Sequence, residues 1–336
     1  MTVPSSRATV AKRPRACAVA PPDEEAFRAL AGPRRRELLV HCYRMLGSLD
    51  DAEDAVQETM IKAWRGLPAF EGRSSLRAWL YRIATNVCLD ALEHRSRRML
   101  PSAIIGPADP AVPPAPDDPD MPWLQPFPDA LLDVTDQDPF ADPATALVRR
   151  EHIELAFVAA IQYLTPRQRA VLLLREVLGW SAAETAAMLG TSSASVNSAM
   201  QRARATLDAR TATAPAPPSG LEAELAAKYV RAWRDADVPA LVALLKADAT
   251  MAMPPTPSWY QGRDNIGIYL SHLFANPWGT GLRLVPTAAN RQPALAVYTP
   301  DGKPFAIKVL TVHNGLISAI TGFVSPHLFA AFGLRG

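Results

Sequence analysis

The chain has 336 residues, 49% of them apolar, and a formal charge of only +2. That length exceeds one comfortable core, so two or three domains are expected, and near-neutrality confines any nucleic-acid surface to local basic patches. No apolar run approaches the ~18 residues of a membrane span. Cys17, Cys42 and Cys88 stand far apart without a CxxC pair, which argues against a disulfide framework or a zinc site and fits a reducing cytoplasm.

Residues 1–22 carry Arg7, Lys12, Arg13 and Arg15, and a short apolar stretch that runs straight into Pro21-Pro22. They read as a disordered tail, not a secretory signal. Residues 23–99 form a helical block. Leu30, Leu38, Leu39, Cys42, Met45 and Leu46 recur at three- and four-residue steps. Ala52, Ala55, Val56, Met60, Ile61 and Trp64 make one face of a second helix over 50–64. A third helix opens near Ser74-Ser75 with Leu76, Trp79, Leu80, Ile83, Val87 and Leu92 as its stripe. Cys42 and Cys88 fall on these stripes and read as small core residues.

Residues 100–143 are rich in Pro and Asp and read as a linker. Residues 144–210 are helical again. A helix over about 145–163 precedes a new start at Thr165-Pro166. Ser181-x-x-Glu184 is a capping box, Thr191-Ser192-Ser193 another start, and Gly179 and Gly190 are stops. Residues 211–220 (TATAPAPPSG) are a second linker. Residues 221–336 change character. Helices over 222–234, 238–246 and 263–274 mix with strands near 250–253, 282–288, 294–298, 305–312 and 316–324. Asn314-Gly315 is a hairpin turn. Helices followed by a meander predict an α+β domain.

Three stretches carry chemistry. Residues 182–204 read helix, Gly-containing turn, helix, the layout of a helix-turn-helix. Val196, Met200, Ala203 and Leu207 anchor the second helix. Ser192, Ser193, Ser195, Asn197, Ser198, Gln201, Arg202 and Arg204 are left to meet base edges and phosphates. The plain alternative is an αα-hairpin in a bundle. Asp51, Glu53, Asp54, Gln57 and Glu58 form an acidic stripe, which is either a solvated face or a dock for a basic protein. Phe70, Arg73, Ser74, Arg77, Trp79, Arg82 and Asn86, then Arg95, Arg97 and Arg98, interleave rings with cations, as single-stranded bases require. Trp79 suits a core position equally well.

The stretches DDAEDAVQETMIKAW and FEGRSSLRAWLYRIATNVCLDAL closely resemble region two of RNA polymerase sigma factors. LTPRQRAVLLLREVLGWSAAETAAMLGTSSASVNSAMQRAR resembles region four. Their order, and the lack of a separate region-three domain between them, match the extracytoplasmic-function group. The resemblance implies two all-α sigma domains. In it, the acidic stripe binds the clamp helices of the polymerase largest subunit, with the flap as a further contact. Residues 70–86 melt the downstream promoter element, residues 192–204 read the upstream one, and the linker threads toward the active cleft with Asp117, Asp118 and Asp120 mimicking nucleic-acid charge. Relatives often carry Lys at the place of Asn197 and Arg at the place of Ala199. Their absence here lowers the charge on the recognition helix. Pro122-Trp123-Leu124-Gln125-Pro126-Phe127-Pro128-Asp129 is unusual within a linker and reads either as a latch onto another domain or as exposed chain.

Residues 221–336 resemble a SnoaL-like domain, a cone-shaped α+β fold. Its pocket is expected among Trp259, Tyr260, His272, Trp278 and His313, with a small molecule as a possible ligand. A catalytic cone needs a tuned carboxylate. Asp248, Asp264 and Asp301 are the candidates, and none forms a dyad, so a regulatory domain is expected instead of an enzyme, with no cofactor or metal. Two alternatives stay open: a helix-turn-helix transcription regulator, and a DNA-binding module fused to a SnoaL-type enzyme.

Overall fold

The structure, a computed structural model, describes residues 24–72, 74–93, 96–118, 120–132, 153–209 and 222–334. The expected N-terminal tail, the 211–220 linker, the 133–143 end of the first linker and the part of the 145–163 helix before residue 153 lie outside the described residues.

The first module comprises α1 (Glu24–Ala31), α2 (Arg35–Leu46), α3 (Leu49–Gly66) and α4 (Leu76–Glu93). The apolar period dictates their packing: Leu38, Cys42 and Met45 meet Ala52, Val56, Leu80, Ala84 and Cys88 in one buried cluster. Between α2 and α3 the chain turns at Gly47, with φ 72° and a Cβ position 2.9 Å from Leu124 Cδ1. Both the left-handed backbone and that contact exclude a side chain there. Ser48 Oγ then accepts from Asp51 N and caps α3.

The second module comprises α5 (Leu155–Ile161), α6 (Pro166–Leu172), a π-helical turn (Leu173–Val177), α7 (Ala182–Leu189) and α8 (Ser193–Asp208). Two of the three starts read from sequence are complete capping boxes, Thr165 with Gln168 and Ser181 with Glu184. Gly179 and Gly190 stop their segments with φ of 73° and 60°.

The third module comprises α9 (Glu222–Arg234), α10 (Val238–Ala243), β1 (Leu245–Ala252), β2 (Trp259–Gln261), α11 (Arg263–Phe274), α12 (Pro277–Thr280), β3 (Arg283–Ala289), β4 (Gln292–Tyr298), β5 (Pro304–His313), β6 (Leu316–Phe323) and α13 (Leu328–Ala331). The sheet order is β2-β1-β6-β5-β4-β3, antiparallel except for the parallel β1–β6 pair. Two expectations need correction. The helix expected to reach residue 246 stops at Ala243, and β1 begins at Leu245 instead of near residue 250. Six residues hold too few helical repeats for period to separate helix from strand. β2 was not anticipated, because its three residues carry no pattern of their own.

The sheet is buried on both faces. Leu295, Val297, Ala306 and Leu310 point into the cone with Tyr229, Trp233 and Tyr260. Ala294, Ala296, Tyr298, Ile307 and Val309 point the other way, into the same core as the helical modules. This accounts for the near-continuous apolar runs LAVY and FAIKVL, where a half-solvated antiparallel strand would alternate.

The 100–143 linker expectation also needs correction over its described part. Residues 96–118 and 120–132 form a strap laid across the modules, with Trp123, Leu124, Phe127 and Leu132 all buried. Along the cone, Ala108 N donates to Trp259 O at 2.7 Å and Ala115 N to Ser258 Oγ at 2.8 Å, while Thr256 Oγ1 donates to Asp117 Oδ1 at 2.6 Å. The prolines keep this segment out of helix and sheet and also remove N–H donors. An extended chain with few donors can be buried at low cost, and the apolar side chains between the prolines supply the gain.

Candidate polymerase and nucleic-acid interfaces

On α8 burial follows the expected apolar period. Val196, Ala199, Met200 and Ala203 are buried against the helices behind, while Ser192, Ser193, Ser195, Asn197, Ser198, Gln201, Arg202 and Arg204 are all exposed. Ser192 spends its hydroxyl capping the helix, accepting from Ser195 N at 3.2 Å. Arg202 Nη1 lies 2.6 Å from Ser198 Oγ, and Arg204 pairs with Glu176. The α8 N-terminus therefore offers a small polar surface with two arginines about two and a half to three turns further along the helix, a shape suited to a groove edge.

The acidic stripe on α3 divides in two. Glu53, Asp54, Gln57 and Glu58 are exposed. Asp51 is not free: Arg98 grips its Oδ2 with Nε at 2.8 Å and Nη2 at 2.7 Å, and Arg98 Nη1 also donates to Trp123 O at 3.0 Å. Asp51 thus holds the strap down. Beyond the stripe, α1 and α3 enclose an apolar groove of about 570 Å³, lined by Phe27, Ala31, Met60, Ile61 and Trp64 with Arg28 and Arg35 at its rim.

The melting candidates are partly covered. Arg73 and Arg95 lie outside the described residues. Ser74, Arg82, Asn86 and Arg97 are exposed. Phe70 and Trp79 are half-buried and pack on one another, ring centroids 4.9 Å apart. Arg77 is half-buried: its Nε donates to Glu37 Oε2 at 2.9 Å and its guanidinium lies 5.2 Å from the Tyr81 ring and 6.0 Å from Trp180. Tyr81 and Trp180 meet edge-on at 5.0 Å, so the helix-turn-helix module covers this flank of α4.

Sequence reasoning missed two residues that join the modules. Arg169, 1% exposed, reaches across from α6 and donates to Met45 O, Ile161 O, Gln162 Oε1 and Gln162 O. Burial, with Arg97 repelling it, lowers its pKa to about 9. Asn290 is fully buried in the β3–β4 turn with φ 56°. Its Oδ1 accepts from Phe127 N at 2.8 Å, and its Nδ2 donates to Tyr43 Oη at 2.9 Å and Ile153 O at 2.8 Å. One amide thus ties α2, the strap, the start of the second helical module and the cone. An Asn in a turn has many bland explanations, and nothing in its sequence context marks those partners.

Strap and cone converge on the α3 N-terminus. Gln125 Oε1 accepts from Ser48 Oγ at 2.9 Å and Leu49 N at 2.8 Å, its Nε2 donates to Asp50 Oδ2 at 2.7 Å, and His327 Nε2 meets the same carboxylate at 3.1 Å.

The expected cone pocket does not assemble. Trp259 donates its indole N–H to Ile105 O of the strap at 2.8 Å. Trp278 and His272 are exposed, and His313 ends β5 beside the turn. Tyr260 alone of the five joins the inner core, stacked on Tyr269 at 4.6 Å. The missed residue is Lys308 on β5, 5% exposed, its Nζ 3.7 Å from the Trp233 ring centroid and 3.3 Å from Tyr229 Oη. Desolvation lowers its pKa to about 7. The carboxylates considered as bases, Asp248, Asp264 and Asp301, are exposed. The Lys303 side chain, through its hydrogen bond, holds Asp301 down to about 2, the reverse of a tuned base. Among the described residues no cluster of His, Cys, Asp and Glu could hold a metal, and no helix is long and apolar enough to cross a membrane.

Comparison with known proteins matches three family models: sigma-70 region 2 over residues 32–98, sigma-70 region 4 over 154–207, and the SnoaL-like domain over 226–320. The ECF RNA polymerase sigma factor SigG of Mycobacterium tuberculosis is 47% identical over 317 residues, spanning 92% of this chain and 84% of that protein. SigJ of the same organism is 26% identical over 315 residues, 90% of this chain and 92% of that one. The crystal structure of Mycobacterium tuberculosis SigJ superposes with a TM-score of 0.61 at 23% identity, covering 93% of this chain and all of that one, a likeness of fold.

Proposed function

The chain belongs to the extracytoplasmic-function RNA polymerase sigma factors, and from that premise we propose how its surfaces divide the work. As a sigma factor it is a promoter-recognising partner of core RNA polymerase and not an enzyme. In our reading Glu53, Asp54, Gln57 and Glu58 dock on the clamp helices, with the neighbouring apolar groove extending the footprint. Phe70, Arg82, Asn86 and Arg97 face the melted downstream element. Ser193, Ser195, Asn197, Ser198, Gln201, Arg202 and Arg204 read the upstream element, and the protein acts in the cytoplasm, where the polymerase is. The α5–α8 module approaches the flap, and the strap vacates its present groove to enter the cleft.

The cone is the regulator in this reading. The observation that supports it is the junction at Asn290, where the cone, the strap and both helical modules share one buried amide. This packing covers the Arg77–Tyr81 flank with Trp180 and leaves Asp50 and Asp51 occupied. The arrangement is a closed form, and transcription requires the modules to part. A small molecule in the cone would bias that equilibrium in proportion to its differential affinity for the two forms. In vitro transcription with core polymerase tests both layers. Specific initiation by the full chain is expected, with altered output when the chain ends at residue 209. No initiation at any promoter sinks the first layer, and equal output with and without the cone sinks the second.

A further inference from the structure

The cone interior holds an unusual imbalance of hydrogen-bonding groups. Lys308 Nζ has a single acceptor, Tyr229 Oη at 3.3 Å, and no ion pair among the described residues. The Trp233 indole N–H and the Tyr260 hydroxyl, both buried, have no hydrogen-bond partner among the described residues. The groups belong to one inner core: Lys308 lies over Trp233 and Tyr229, Tyr229 lies beside Trp233 at 5.9 Å, and Tyr260 stacks on Tyr269 at 4.6 Å. Across the sheet Lys308 lies opposite Leu295 on one side and Gly322 on the other, so no polar side chain flanks it in register. The inner face therefore offers surplus donors on aromatic walls with no anion to receive them. Buried donors left in this state cost about 1–3 kcal/mol each, more when charged.

We infer that the cone interior at Lys308 is a binding site for a small aromatic carboxylate, whose anionic oxygens accept from Lys308 Nζ and the Trp233 and Tyr260 donors while its ring packs on the Tyr229 and Tyr269 rings. The donor set specifies the anion, because an aromatic cation would meet another cation and a hydrocarbon would leave the donors unpaired. The aromatic walls specify the flat apolar body. Binding charges the amine: a carboxylate within hydrogen-bond reach favours the protonated form, which the empty interior disfavours. Complex formation therefore takes up a proton above pH 7, and affinity falls as pH rises. This site rests on the reading of the cone as a ligand-responsive regulator, and its test separates from that one.

The experiment titrates benzoate into the full-length protein by calorimetry at pH 7 and pH 9, alongside Lys308→Met and Trp233→Phe. Saturable binding is expected at pH 7, weakening about tenfold or more at pH 9, and weakening by at least about tenfold in Lys308→Met. A thermal melt confirms that the Met variant is folded. Absence of benzoate binding to the wild type, or equal affinity in Lys308→Met, overturns the site and leaves the regulatory reading to the truncation experiment. Benzoate that binds as expected without altering transcription upholds the site and overturns the ligand-responsive regulation.

Discussion

Replacing Asn290 with Ala removes one acceptor and two donors from a position of zero exposure. Tyr43 Oη keeps a partner, since it donates to Gln125 O at 2.8 Å. Phe127 N–H and Ile153 C=O are orphaned, at about 1–3 kcal/mol each. The left-handed backbone, φ 56°, adds about 1–2 kcal/mol for a residue with a Cβ and no local hydrogen bond. The sum is a loss of about 3–8 kcal/mol, concentrated in the joint and not in any one module. Asn290→Gly lifts the backbone strain and is expected to recover about 1 kcal/mol. Asn290→Asp keeps the acceptor for Phe127 but loses both donors. The assays are denaturant unfolding followed by hydrogen exchange, which should show faster exchange at Phe127 and along the α3 N-terminus. In transcription with core polymerase, Asn290→Ala should raise output. A variant with wild-type unfolding and exchange would refute the account of Asn290 as the joint. Normal exchange loss without added transcription would leave the joint standing and remove its regulatory meaning.

Arg169→Met should cost about 3 kcal/mol or more in urea unfolding, because five acceptors on two modules lose their buried donor. Lys308 adds a pH dependence. Its folded pKa is about 7 and its unfolded value about 10.4, so between these the unfolded chain holds one proton more. Stability from this group therefore rises with pH across that window, by up to about 1.4 kcal/mol per unit. Urea midpoints at pH 7 and pH 9, taken as wild type minus Lys308→Met, should show that slope, with the Met variant the more stable at pH 7. Asp54→Arg should leave the fold intact, since Asp54 is exposed, and should weaken binding to core polymerase in a pull-down. Unchanged binding removes Asp54 from the dock. Arg202→Ala should weaken promoter binding and lower the salt slope by about one, measured by fluorescence anisotropy across a salt series.

The parts of this chain that local rules govern were legible without coordinates. The helix start at Thr165-Pro166, the capping box at Ser181, the stops at Gly179 and Gly190, the α11 helix and the hairpin at Asn314-Gly315 each depend on contacts within a few residues. The exposed face of α8 followed from a period that assigned Val196, Met200 and Ala203 to the core. The exposed part of the α3 stripe was legible for the same reason. Asp51, Arg77 and Arg98 were read as surface charges from their type, yet each is engaged by partners far along the chain: Arg98, Glu37 and Asp51 respectively.

Sequence by itself therefore determined three modules, their element types and a helix-turn-helix with a polar leading face, because helical period, caps and turns are local interactions written in consecutive residues. Only the tertiary structure decided that the Pro-rich segment is a strap anchored by buried Trp123, Leu124 and Phe127, that Asn290 and Arg169 lock the modules together, and that the cone interior centres on Lys308 instead of Trp259 or Trp278. Those outcomes depend on which distant groups share a dry volume. A hydrogen bond across 247 positions, such as that between Asn290 and Tyr43, leaves no periodic trace in either stretch of sequence.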